Sequence, residues 1–227
     1  MGIKVISAFD GMSCGYLALR RLGIPIEKYV SFEIDKPAMQ LSKANCENII
    51  YMGDIRDTNF QNLLGADLLL GGSPCQSFSM AGKLNGMSTK DSIEVLSLDQ
   101  YLDLKEKGFE FEGQSYLFWE YVRVLREAKP KYFLLENVHM HKKWEDVISK
   151  ELGVSPIKIN SDSVSAQSRK RNYWSNIPDI QMPEDRGILL KDILEDLPDC
   201  PIGIAVREKS KCVRVGGRSS PFGMITS

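Results

Sequence analysis

Short apolar runs alternate with helical stripes along most of this chain, and each run breaks at a glycine or a carboxylate. The runs are Val5–Phe9, Tyr29–Glu33, Ile49–Gly53, Asp67–Leu70 and Tyr132–Leu135. Each is too short for a stable helix, and each reads as a strand buried on both faces. Between them, Tyr16–Leu22, Lys36–Asn45, Tyr116–Leu125 and Lys142–Leu152 carry apolar residues at helical spacing. Two further strands are expected at Pro156–Ile159 and Asn172–Ile177, making seven. Strand and helix in alternation imply a parallel sheet with helices on both faces, a doubly wound α/β architecture. Such sheets place their chemistry outside the carboxyl ends of the strands.

Composition narrows the class. With 227 residues the chain can bury one substantial core, and its 43% hydrophobic and 26% charged content is ordinary for a globular protein. A net charge of −1 predicts no strong global attraction to nucleic acid, so any such binding must come from local patches. The cysteines at 14, 46, 75, 200 and 212 form no CxxC pair and no zinc spacing. They read as reduced thiols of a cytoplasmic protein. No apolar run is long enough to span a bilayer, so no membrane partner is expected. His139 and His141 have no third or fourth ligand at useful spacing, so no metal is expected either.

The strand ends carry the candidate chemistry. The fourth run leads into Gly71-Gly72-Ser73-Pro74-Cys75-Gln76-Ser77-Phe78-Ser79. Two glycines end the strand, Pro74 stiffens the turn, and Cys75 is presented in a polar loop rather than on an apolar face. The first run leads into Asp10-Gly11-Met12-Ser13-Cys14-Gly15 and then a helix, the layout of a nucleotide-binding entry. The spacing is not GxGxxG, and a plain tight turn explains it about as well. Glu33 ends the second strand, where a carboxylate can accept from a ribose diol. Asp54 ends the third. Glu136 ends the fifth and is expected on the same rim as Cys75. Residues 80–114 read as a lid with a helical insertion near Ile93–Lys107.

Pro74-Cys75-Gln76 after a Gly-Gly strand end resembles the catalytic motif of the DNA cytosine-5 methyltransferases. Other matches follow in family order: Phe9-Asp10-Gly11 with Gly15, Glu33, Asp54-Ile55, Gly113-Gln114-Ser115 with Leu117, Glu136-Asn137-Val138, and Gln167-x-Arg169-x-Arg171. The resemblance implies a Rossmann-like sheet of the S-adenosylmethionine (SAM)-dependent methyltransferase type. It implies a SAM site made by Phe9, Asp10, Gly11, Gly15, Glu33, Asp54, Ile55, Pro74, Ser115 and Leu117. It places Cys75, Glu136, Arg169 and Arg171 in the catalytic set, with Cys75 as nucleophile toward cytosine C6 and Glu136 as the acid at N3. Arg169 would contact the base, and Arg171 would be structural or phosphate-facing. Ser73, Gln76, Ser79, Asn137 and Gln167 would contact the substrate, which is DNA carrying an extruded cytosine.

The matches divide the chain into a catalytic part, residues 1–177, and the start of a target-recognition region, residues 178–227. In the second part, residues 179–200 carry a local −5. Residues 201–227 carry a local +4 from Arg207, Lys209, Lys211, Arg214 and Arg218 against Glu208. That basic tail is the candidate DNA-facing patch. The family's late motifs are not visible, which points to a truncated enzyme or to one subunit of a split enzyme with a second subunit carrying them. The source expected is bacterial, or a phage in a bacterial host. Three other classes stay open: a non-catalytic SAM- or DNA-binding subunit, an RNA (tRNA) cytosine methyltransferase, and a cysteine hydrolase pairing Cys75 with His139.

Overall fold

A computed structural model of the chain describes residues 2–74, 87–194 and 208–211. Among these residues seven strands form one sheet: β1 (Ile3–Ala8), β2 (Ile26–Phe32), β3 (Ile49–Tyr51), β4 (Leu68–Gly71), β5 (Tyr132–Val138), β6 (Ile157–Asn160) and β7 (Lys170–Ser175). Their order is β3-β2-β1-β4-β5-β7-β6. β1 pairs in parallel with β2 and β4, β2 with β3, and β4 with β5. The order reverses between β1 and β4, and there the carboxyl ends of the strands open a crevice. All seven expected strands are present.

Among the described residues five helices connect them: α1 (Cys14–Arg21), α2 (Lys36–Asn45), α3 (Leu98–Glu106), α4 (Phe118–Ala128) and α5 (Lys142–Leu152). Local chemistry sets their ends. Ser97 caps α3 by accepting from the Gln100 N–H at 3.2 Å. Lys129, with φ 46°, closes α4 one residue before Pro130. Gly153, with φ 70°, closes α5. His141 caps α5, its Nδ1 accepting from the Lys143 N–H at 3.3 Å. Among the described residues no helix is long and apolar enough to cross a membrane, and no group of His, Cys, Asp and Glu could hold a metal ion.

The sheet buries its two faces unequally. One face packs Ile6, Phe32, Leu69, Phe133 and Leu135 against α3, α4 and α5, with Phe118, Trp119 and Tyr121 fully buried. On the other face Val5, Tyr29 and Leu68 meet Tyr16 and Leu19 of α1. This second cover stops short of β5, where Tyr132 and Leu134 are only half-buried. An apolar cleft of about 500 Å³ lies there, lined by Leu22, Leu70, Tyr132, Leu134 and Ile177 among others. Parallel strands are ordinarily covered on both faces, so this opening is a structural irregularity.

Two expectations change. β7 spans Lys170–Ser175 and not Asn172–Ile177. Its end is set by side chains: Ser175 Oγ donates to the Phe133 carbonyl at 2.6 Å, and Asn176 Oδ1 accepts from the Phe133 N–H at 2.8 Å. These bonds replace the ladder and let the chain leave the sheet. The lid expected over residues 80–114 is not a lid in its described part. Met87 and Val95 are fully buried, and Leu98 and Tyr101 of α3 join the main core. Hydrophobic burial, which a mixed-charge sequence conceals, holds residues 87–114 down.

The chain separates into two compact units, residues 1–157 with 172–178, and residues 158–171 with 179–227. Within the second unit Lys209 Nζ donates to the carbonyls of Asp162, Ser165 and Ile188 at 2.7, 3.2 and 2.5 Å. One ammonium with three donors thus ties together three backbone segments.

Candidate active site at the strand ends

The turn after β1 is held in an uncommon backbone shape. Phe9, Gly11 and Ser13 adopt φ of 56°, 57° and 59°. Gly11 does so freely, whereas left-handed backbone is unfavourable for an aromatic such as Phe9 and persists only when surroundings impose it. Those surroundings are hydrogen bonds. The Asp10 carboxylate accepts from Ser7 Oγ at 2.6 Å, Tyr29 Oη at 2.8 Å and Ser13 Oγ at 2.5 Å. Burial, and then the adjacent Asp10 charge, push the Tyr29 hydroxyl far above its ordinary pKa, so it stays a donor.

Glu33 leaves β2 beside this turn. Its Oε2 accepts from the Gly11 N–H, and its Oε1 from the N–H groups of Ile34 and Asp35, all at 2.8 Å. A carboxylate offers about four acceptor positions. Glu33 is therefore fixed in place by three backbone donors with room for a hydroxyl. At the end of β3, Asp54 accepts from the Arg56 N–H at 2.9 Å and from its guanidinium Nη2 at 2.5 Å. The Arg56 side-chain bond is the largest cause holding the Asp54 carboxyl below its usual pKa range.

These strand ends frame a cleft of about 560 Å³. Phe9, Glu33, Asp54, Ile55, Pro74 and Leu117, all candidate cofactor residues, line it. The other expected cofactor residues are not in the lining and act behind it. Asp10 is spent on three hydroxyls, and Gly11 on Glu33. Gly15 packs α1 onto the sheet: a Cβ there would lie 2.6 Å from Leu70 Cδ1 and 3.2 Å from Tyr29 Oη. Ser115 is fully buried at the start of a 3-10 turn, Ser115–Leu117. Sequence reasoning missed Arg56 and Tyr116 in the cleft wall. An acid and an arginine two apart signal a local ion pair. Tyr116 counted only as part of an apolar stripe, yet its ring stacks on Phe111 at 4.8 Å.

A second cluster joins β4 to β5. Asn137, 1% exposed, donates from Nδ2 to Ser73 Oγ at 3.0 Å and to the Ser73 carbonyl at 3.2 Å. Its Oδ1 accepts from the Val138 N–H at 2.8 Å. The Glu136 carboxylate lies against Gly72, with Oε2 3.4 Å from where a Cβ would stand. Ser73, Pro74, Glu136 and Asn137 therefore meet at one rim. Cys75, Gln76 and Ser79 lie outside the described residues. Gln167, Arg169 and Arg171 belong to the second unit. There the Gln167 carbonyl accepts from Ser161 Oγ at 2.5 Å, and the Arg169 N–H donates to Asn160 Oδ1 at 2.8 Å. Arg171 Nη1 donates to the Lys170 carbonyl at 2.7 Å.

Chemically, a cleft with apolar walls and two preset carboxylates, Glu33 and Asp54, suits a nucleoside-bearing ligand. A further carboxylate on the neighbouring rim, Glu136, suits proton chemistry on a substrate.

Comparison with known proteins agrees with this layout. The model of a family described as C-5 cytosine-specific DNA methylase matches residues 3–99 and 104–151. The orphan methyltransferase M.SPRI of Bacillus phage SPR is 36% identical over 138 residues, covering 60% of this chain and 26% of the relative. The type II methyltransferase M.FnuDI of Fusobacterium nucleatum is 31% identical over 136 residues, covering 60% of this chain and 32% of that protein. The chain thus spans about a quarter to a third of the length of the curated relatives it matches. A crystal structure described as a candidate DNA modification methyltransferase of an E. coli prophage aligns with a TM-score of 0.60. That alignment covers 95% of this chain and 62% of the other at 22% identity, a likeness of fold.

Proposed function

Because this chain belongs to the C-5 cytosine-specific DNA methylase family, we propose that it binds SAM in the strand-end cleft and directs its methyl group to C5 of cytosine in DNA. The observation that carries the cofactor reading is the Glu33 carboxylate, preset by the Gly11, Ile34 and Asp35 N–H groups to accept from a ribose diol. Phe9, Ile55 and Leu117 offer apolar walls for an adenine ring. Asp54, already clasped by Arg56, presents a fixed acceptor edge for the adenine amino group. When bound, SAM supplies an electrophilic methyl group.

The protein's part is to make cytosine C5 nucleophilic. The Cys75 thiolate adds to C6, and the electron pair of the C5–C6 bond is delivered toward C5. Glu136 supports that addition by holding a proton at N3, which neutralises charge developing on the ring. After methylation water takes the C5 proton, the C5–H electrons re-form the C5–C6 double bond, and the C6–S bond breaks with its electron pair returning to Cys75. Asn137 holds Ser73, two positions before Cys75 in the sequence. Arg169 and Arg171 serve the base and its phosphates. The family description supports DNA over RNA as the substrate.

Titration calorimetry with SAM tests the cleft. The wild-type chain is expected to bind, and Glu33→Ala to weaken binding by about 1–3 kcal/mol because ribose hydroxyls lose their acceptor. Absence of heat from folded wild-type protein at millimolar SAM removes the cofactor reading.

The open apolar face beside β4 and β5 supports a further part of the proposal, that a second polypeptide covers it and completes the enzyme. The 227-residue chain alone is then expected to transfer tritiated methyl groups to unmethylated genomic DNA very slowly or undetectably. Robust Cys75-dependent turnover without a partner overturns that part.

A further inference from the structure

The cleft wall formed by Asp54, Ile55 and Arg56 is not self-supporting. It belongs to a 3-10 turn, Ile55–Asp57, whose backbone bond from the Asp57 N–H to the Asp54 carbonyl is 3.4 Å long. That is at the weak end of the range. A side chain from α4 reaches across to hold it. Arg123 Nη2 donates to the Ile55 carbonyl and Nη1 to the Thr58 carbonyl, both at 2.9 Å. These carbonyls stand at the two ends of the turn. The guanidinium lies over the Phe60 ring, 4.8 Å from its centroid. Phe60 in turn is fully buried and sets the floor below the turn.

Arg123 is itself aimed by a buried carboxylate. Glu120, with no exposed surface, accepts from Arg123 Nε at 2.7 Å, Lys105 Nζ at 2.6 Å and Tyr101 Oη at 2.6 Å. Three donors satisfy Glu120, and the two from α3 would compensate much of its charge without Arg123. The planar fork of the guanidinium adds something a point charge cannot: one nitrogen fixed on Glu120 while the two others span two carbonyls.

We infer that Arg123 is a positioning residue for the SAM cleft: through the Ile55 and Thr58 carbonyls it sets the backbone that presents Asp54 and Ile55 to the adenine. It touches no ligand and lies outside the cleft lining. This inference rests on the reading of the cleft as a SAM site. It assigns a recognition role to a core ion pair that would otherwise count only toward stability.

The test compares wild type with Arg123→Lys and with Ile148→Val, a buried truncation on α5 remote from the cleft. SAM affinity is measured by calorimetry, hydrogen exchange is followed over residues 54–58, and thermal stability is recorded for each protein. Arg123→Lys keeps the charge beside Glu120 but has one nitrogen where the guanidinium sets three, on Glu120, Thr58 and Ile55 separately. It is expected to weaken SAM about tenfold and to speed exchange in residues 54–58. Ile148→Val is expected to lower the melting temperature and change neither. If Arg123→Lys does not fold, Arg123→Gln combined with Glu120→Gln removes the buried charges together, and the same losses are expected from it. Unchanged SAM affinity in a folded Arg123 variant overturns the inference while leaving the cleft reading intact. A wild-type chain that binds no SAM overturns both.

Discussion

Replacing Cys75 by serine is expected to abolish methyl transfer to cytosine, by about 10³-fold or more, the scale on which loss of a covalent nucleophile is felt. A serine hydroxyl stays protonated at neutral pH, whereas a thiol is partly ionised and intrinsically more nucleophilic. The direct readout is trapping. On a duplex carrying 5-fluorocytosine, attack at C6 and methylation at C5 can proceed, but fluorine cannot leave as the proton does. The thioether to C6 then persists, and mass spectrometry of the protein–DNA adduct locates it. Wild-type protein, together with the second polypeptide proposed to cover the open β4–β5 face, is expected to form an adduct at Cys75. An adduct that survives in Cys75→Ser shows that another residue is the nucleophile.

Glu136→Gln is expected to slow the reaction by about 10²–10⁴-fold, the range typical of a lost general acid. Glutamine nearly preserves shape but cannot supply a proton to N3. The variant should still bind SAM as wild type does, because Glu136 sits on the β4–β5 rim and outside the lining of the cleft proposed to hold SAM. The measurement is single-turnover methyl transfer beside calorimetry. A parallel fall in rate and SAM affinity shows that Glu136 acts on the cleft. An unchanged rate removes it from the chemistry.

Both residues were expected at strand ends, and strand ends were the most legible part of the sequence. Tyr132–Leu135 was expected as a strand leading into Glu136-Asn137-Val138, and β5 runs through those three residues, to Val138. Lys36–Asn45 and Lys142–Leu152 were expected as helices and occur with those limits. Each expectation rests on local signals: apolar runs of strand length, helical periodicity, and breaks at glycine or acid. Phe9 was expected as the last residue of β1, but it turns out of the strand with φ 56°. Its side chain fits a strand, and only the hydrogen bonds gathered by Asp10 from Ser7, Tyr29 and Ser13 explain why its backbone does not follow.

The sequence by itself determined the architecture and the set of polar residues delivered to one edge of the sheet. Strand and helix periods are read within a few residues, and a parallel sheet must bring the carboxyl ends of its strands to the same side. Tertiary structure decided what each of those residues spends its hydrogen bonds on. Asp10 and Glu33 look alike as strand-end acids, yet Asp10 is consumed beneath the turn and Glu33 faces the cleft. Asn137 reaches Ser73, 64 positions away, and Arg123 reaches Ile55, 68 positions away. A carboxylate or guanidinium has a fixed number of bonds to give, and its partners are chosen by distance in space. Spacing along the chain carries no record of that choice.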